Sequence, residues 1–144
     1  MTTSDLPVSP PPSVTDAASL DRRTADVLIE VLARAGVDLV FGLPGGPISP
    51  IHDALLARGG IRHVQTRHES GALFAAAGFA HATGRLGVAV VTSGPGILNA
   101  MTGLASAHCD SLPVLLLVGA VPRRVHGKGA LQDGSSHGLN VVGM

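Results

Sequence analysis

The chain has 144 residues, 45% of them apolar, enough for one domain with its own core and too few for two. Ten Lys and Arg balance ten Asp and Glu, so there is no basic field to draw nucleic acid or an anionic membrane surface, and neither is expected as a partner. With three Phe and no Trp or Tyr, the core has to be built from Ala, Val, Leu and Ile packed around many Gly; the lone Cys109 excludes an internal disulfide and fits a cytoplasmic chain.

Residues 1–20 carry Pro7, Pro10, Pro11 and Pro12 among Ser, Thr and Asp. They lack the charged-then-apolar order of a signal peptide and read as a disordered leader, which leaves 21–144 as the domain. From Thr24 the pattern is helical: Val27, Leu28, Val31, Leu32 and Ala35 are expected on one buried face, with Asp21 or Thr24 as cap and Gly36 as stop. Val37 to Phe41 reads as a short strand that ends in the tight loop Gly42-Leu43-Pro44-Gly45-Gly46. Ile51, Ala54 and Leu55 mark a second helix, closed by Gly59-Gly60, and Ile61 to Gln65 a second strand.

Glu69 to Thr83 is an Ala-rich helix with Leu73, Ala76, Ala77 and Ala80 on one stripe and Gly84 at its end. Gly87 to Thr92 is a strand, Gly96 to Cys109 a helix opened by Ser93-Gly94-Pro95-Gly96, and Val114 to Val118 a buried strand. The surrounding apolar run, Pro113 to Val121, is far shorter than the roughly 20 residues of a membrane-spanning helix. Beyond Gly119 no period emerges, and Leu139 to Val142 resembles the start of an element, so the domain is expected to be incomplete at its C-terminus. Strands alternating with helices give an α/β fold, a parallel sheet with helices on both faces, whose ligands sit beyond the carboxyl ends of the strands.

Three loops lie at those ends. The first, Phe41 to Gly46, has the setting of a phosphate-binding turn without G-x-G-x-x-G or G-x-x-x-x-G-K-[ST], and by itself is a tight strand-to-helix turn. The second, Arg67-His68-Glu69-Ser70-Gly71, places a carboxylate at a helix N-terminus: the helix favours the anion, burial against Ala and Leu favours the neutral acid. Its position alone fits equally a Glu that complements the helix dipole. The third, Thr92 to Gly96 with Asn99, is built of small residues that let a ligand approach the backbone, either an anion or a neutral heterocycle, or that merely pack. His68, His108, His126 and His137 have no metal-ligand spacing, and no metal site is expected from them.

Together the loops resemble one family, the thiamine-diphosphate enzymes that include acetolactate synthase, glyoxylate carboligase and benzoylformate decarboxylase, in their N-terminal pyrimidine-binding domain. The likeness runs from about Thr24 to about Asp133 and is carried by Ala35-Gly36-Val37, Val40-Phe41-Gly42-Leu43-Pro44-Gly45-Gly46, Arg67-His68-Glu69 with Ala75-Ala76, Gly78-Phe79-Ala80, Ala82-Thr83-Gly84, Thr92-Ser93-Gly94-Pro95-Gly96 with Asn99, and Asp110-Ser111-Leu112-Pro113. The resemblance implies thiamine diphosphate as cofactor and Glu69 as the catalytic residue that promotes the imino tautomer of its pyrimidine, on the way to the ylid that attacks a 2-keto acid. It further implies that Pro44, Gly45 and Gly46, with Ser93, Pro95, Gly96 and Asn99, line the pyrimidine pocket and that Gln132 stands near the substrate.

Leu131-Gln132-Asp133 stands where acetolactate synthases commonly have Phe-Gln-Glu, so the resemblance does not single out acetolactate synthesis. The family's Gly-Asp-Gly and downstream Asn, which hold magnesium and the diphosphate, do not occur in these 144 residues. The chain is therefore expected to be half of a decarboxylating or carboligating site, in a homo- or hetero-oligomer with a diphosphate-binding domain or subunit. A non-catalytic pairing or regulatory protein, or a truncated remnant, would keep the same fold.

Overall fold

A computed structural model describes residues 22–138, 140, 141 and 143. The leader at 1–20 and the cap candidate Asp21 lie outside the described residues, as do Leu139 and Val142 of the last apolar stretch. Among the described residues four strands and four helices alternate: α1 (Thr24–Arg34), β1 (Leu39–Gly42), α2 (Ser49–Arg58), β2 (Arg62–Gln65), α3 (Glu69–Thr83), β3 (Gly87–Val91), α4 (Pro95–Cys109) and β4 (Val114–Val118). Single 3-10 turns occupy Gly46–Ile48 and Arg123–Val125. All strands are parallel, in the order β2-β1-β3-β4.

The core is two layers divided by the sheet. Val40, Val88 and Val90 point to one side and pack with Ile29 and Leu32 of α1 and Ala54 and Leu55 of α2. Ala89 and Val91 point to the other and meet Ala72, Leu73 and Ala76 of α3 and Ala100 of α4. This is the period-2 alternation of a strand covered on both faces, and every residue of β3 is buried. The second layer is thin because its residues are small. A Cβ at Gly103 of α4 would stand 2.5 Å from Leu73 Cβ, so α3 and α4 approach to a distance only glycine allows.

Three sequence expectations are corrected. The buried face of α1 is Ala25, Ile29 and Leu32, whereas Val27 and Val31 are 42% and 56% exposed: the helix is rotated from the face its most hydrophobic residues suggest, because α2 and the sheet cover only one side. Thr24 is the first helical residue; Arg23 occupies the cap and clasps Asp26 at 2.8 Å, with no side-chain cap. The β4 run, read as a buried strand, is only half-buried along its length, and Val118 is 40% exposed, because β4 forms an edge of the described sheet. Boundaries elsewhere move by two residues or fewer, and α3 and β4 occupy the predicted spans.

Candidate functional site

From β1 the chain passes through α2 outward to β2, then returns over β1 through α3 to reach β3 on the far side. The carboxyl ends of β1 and β3 therefore lie side by side while their connections lead to opposite faces. That crevice is the topological switch point, where open α/β sheets bind ligands. The loops after Phe41-Gly42 and after Val91 both open into it.

Glu69 is the first residue of α3, and its neighbours fix it there. His68, extended at the cap position, accepts the Ser70 N–H on Nδ1 at 3.2 Å, satisfying one of the free donors of the first turn. Ser70 Oγ donates to the carbonyl of Asn99 at 2.6 Å, and Asn99 Nδ2 donates to Glu69 Oε2 at 3.0 Å. Two crossing hydrogen bonds thus join the first turns of α3 and α4. Glu69 is half-buried. Its Oε1 lies 3.6 Å from where a Cβ at Gly96 would stand.

Thr92 joins this group to the first loop. A Cβ at Gly45 would lie 2.7 Å from Thr92 Cβ, and one at Gly96 would lie 2.8 Å from Thr92 Cγ2, so both turns press on the same side chain. Gly45, Gly96, Glu69 and Asn99, four of the residues singled out from sequence, are brought into one cluster. Sequence reasoning placed Thr92 at the strand end without a contact role; the signal was its position as the last residue before Ser93-Gly94-Pro95-Gly96. Thr92 Oγ1 and Ser93 Oγ are buried without a hydrogen-bond partner, which leaves polar atoms unspent at the crevice.

The remaining candidates surround this cluster. Ser93, 2% exposed, lines a cleft of about 260 Å³ with Gly94, Val118 and His126. Gly94 has φ +58° and ψ −113°, a conformation reserved for glycine, and a Cβ there would stand 2.8 Å from the Gln132 carbonyl oxygen. The aperiodic segment after β4 thereby folds back over the α4 N-terminus, and Pro95 and Gln132 line one shallow cleft. Asp133, 3% exposed, holds that turn by accepting N–H bonds from Gly127 at 2.7 Å and Ser135 at 3.0 Å. Those donors, Ser135 first, keep its carboxyl below the usual Asp range against the opposing effect of burial. Gly46 opens on another cleft, with Pro47, Val121 and Leu131, and Pro44 on a third, with His52 and His63. Arg67 is exposed and takes no part in this cluster's hydrogen bonds.

A family model described as "Thiamine pyrophosphate enzyme, N-terminal TPP binding domain" matches residues 22–139. Acetolactate synthase 2, chloroplastic, of Brassica napus is 47% identical over 117 residues, 81% of this chain and 18% of that protein. The acetolactate synthase of Mycobacterium bovis is 45% identical over 117 residues, 81% of this chain and 19% of its own. Acetolactate synthase 2, chloroplastic, of Nicotiana tabacum is 50% identical over 112 residues, 78% of this chain and 17% of its own. The chain thus spans less than a fifth of the length of these curated relatives. No helix among the described residues is long and apolar enough to cross a membrane.

Proposed function

The chain belongs to the thiamine pyrophosphate enzymes, as an N-terminal TPP-binding domain of the acetolactate-synthase-like kind, and from that premise we propose that it supplies the pyrimidine half of a site that acts on 2-keto acids. The observation that carries the reading is the Glu69 carboxylate held by Asn99 at 3.0 Å at the switch point of the sheet. The residues present suit a polar heterocycle: one carboxylate oxygen is held by Asn99, the other is left without a side-chain donor, and the buried Thr92 Oγ1 and Ser93 Oγ nearby have no partner. Thiamine diphosphate, when bound, supplies the nucleophilic carbon and the electron sink for decarboxylation and carboligation.

The chain's own residues then have distinct tasks. Glu69 would hold a proton against a ring nitrogen, and Asn99 would keep Oε2 directed while Oε1 engages the ring. Pro44, Gly45 and Gly46, with Ser93, Pro95 and Gly96, would form the walls, and the Gln132 turn, seated on Gly94, would border the substrate. Magnesium and the diphosphate would be held by a second domain or subunit. Phe74 and Met101, 47% and 42% exposed on the neighbouring helices α3 and α4, support pairing through this layer, since exposed apolar surface marks contact sites.

Calorimetric titration of the full chain with thiamine diphosphate and Mg²⁺, alone and with a matching diphosphate-domain chain, tests the reading. Binding that requires the second chain and is lost in Glu69→Gln supports it. A folded pair that binds nothing, or binds equally well with Glu69→Gln, refutes it and leaves a pairing protein as the better description.

A further inference from the structure

His52 of α2 and His63 of β2 meet outside the crevice. Their rings lie edge to face with centroids 4.7 Å apart, at 80°. Both Nε2 atoms are buried and have no hydrogen-bond partner. His52 Nδ1 lies 3.2 Å from the Ile48 carbonyl oxygen; since a carbonyl only accepts, Nδ1 carries the proton and Nε2 keeps its lone pair. The His52 imidazole is therefore anchored by the nitrogen that metal-binding histidines give to a backbone carbonyl, and both rings keep an Nε2 without a partner.

The two histidines line a cleft of about 400 Å³ whose remaining walls are Pro44, Leu55, Leu56 and Ile61, none of which can donate to or accept from an imidazole. Two imidazoles bound to one tetrahedral ion at the usual distance of about 2 Å have ring centroids about 5 Å apart, close to the spacing observed. Among the described residues no three His, Cys, Asp or Glu are grouped as a metal cage, so the pair would supply two ligands and solvent the others. Neutral imidazoles without a carboxylate favour late first-row ions over Mg²⁺ or Ca²⁺. Burial and the neighbouring His52 push the His63 imidazole below its usual range, which keeps it neutral near pH 7.

We propose that His52 and His63 form a two-imidazole site for a late first-row divalent metal ion, Zn²⁺ or Ni²⁺, that clamps α2 to β2 behind the Pro44 loop. The site does not rest on the thiamine-diphosphate reading, because its ligands are neither Glu69 nor Asn99, although Pro44, proposed above as a wall of the crevice, lines this cleft as well. Titration of the full chain with Zn²⁺ and with Ni²⁺, followed by calorimetry and thermal unfolding, is expected to show one ion bound and a rise in Tm of at least about 3 °C, with no response to Mg²⁺. His52→Ala and His63→Ala should each weaken binding at least about tenfold, as expected for loss of one of two protein ligands, and His126→Ala should leave it unchanged. Zn²⁺ binding that survives both substitutions, or that falls only with His126→Ala, overturns the site. Should His63→Ala fail to fold, imidazole ¹⁵N resonances of the wild-type chain decide. Zn²⁺ must shift the Nε2 signals of both His52 and His63, and a spectrum in which either stays fixed overturns the proposal.

Discussion

Asn99 Nδ2 donates to Glu69 Oε2 at 3.0 Å across thirty positions of sequence, and Ser70 Oγ returns a bond to the Asn99 carbonyl at 2.6 Å. The acid at the head of α3 is thus oriented by the head of α4. If Glu69 mediates proton transfer, Glu69→Gln in the reconstituted enzyme should cost at least about 10²-fold in rate. Asn99→Ala, which removes only the orienting donor, should cost about tenfold, the worth of one hydrogen bond to a charged group at a partly exposed site. Steady-state kinetics of the two variants, alongside unchanged circular dichroism, check the order; equal losses would mean that Asn99 does more than orient.

Gly103→Ala sets two effects against each other. Helix propensity favours Ala over Gly by about 1 kcal/mol in a helix interior. The new Cβ, however, would stand 2.5 Å from Leu73 Cβ, and overpacking of that kind costs about 1–3 kcal/mol. Packing is expected to win, leaving a net loss on denaturant unfolding, and the separation of α3 from α4 should weaken ligand binding as well. A variant more stable than the wild type would show that the two helices do not approach as closely as described here.

Asp133 clasps the turn that carries Gln132, which itself adopts φ +60°. Its folded-state pKa is depressed by the two N–H donors, so the folded state binds the proton less readily than the unfolded one. The clasp therefore contributes fully above the ordinary Asp value of about 3.9 and is lost as pH falls through the lower folded value. Hydrogen exchange at the Gly127 and Ser135 amides should quicken in that acid window. In Asp133→Asn both amides should already exchange faster at pH 7, and the step should vanish.

His63 responds in the opposite range. Burial and His52 depress its pKa, so the unfolded chain takes up a proton near the ordinary value of about 6.5 while the folded chain resists. Metal-free protein is therefore expected to lose stability as pH falls below about 6.5 and to regain it on return. His63→Asn should flatten that part of the pH–stability profile measured by denaturant unfolding, and a profile identical to wild type would count against a buried neutral imidazole at this position.

The order of elements, the parallel α/β class and the spans of α3 and β4 follow from the sequence, since runs such as Gly87–Val91 and the Ala stripe of α3 carry periodicity and glycine punctuation that act locally. That the loops of Glu69, Gly45 and Gly96 would gather was legible, because strand-to-helix junctions meet at one end of a parallel sheet, whereas the roles of these residues came from the family resemblance alone. Which face of α1 is buried was not legible: Val27 and Val31 are as apolar as Ile29, and only the placement of α2 decides between them. The half-buried state of β4 depends on its place at an edge, a property of strand order and not of the strand. Likewise, Thr92 as the contact of two glycine turns and the meeting of His52 with His63 arise from residues far apart in sequence or on different elements. No local pattern encodes such encounters, because they are set by the distance at which small residues let helices settle on the sheet.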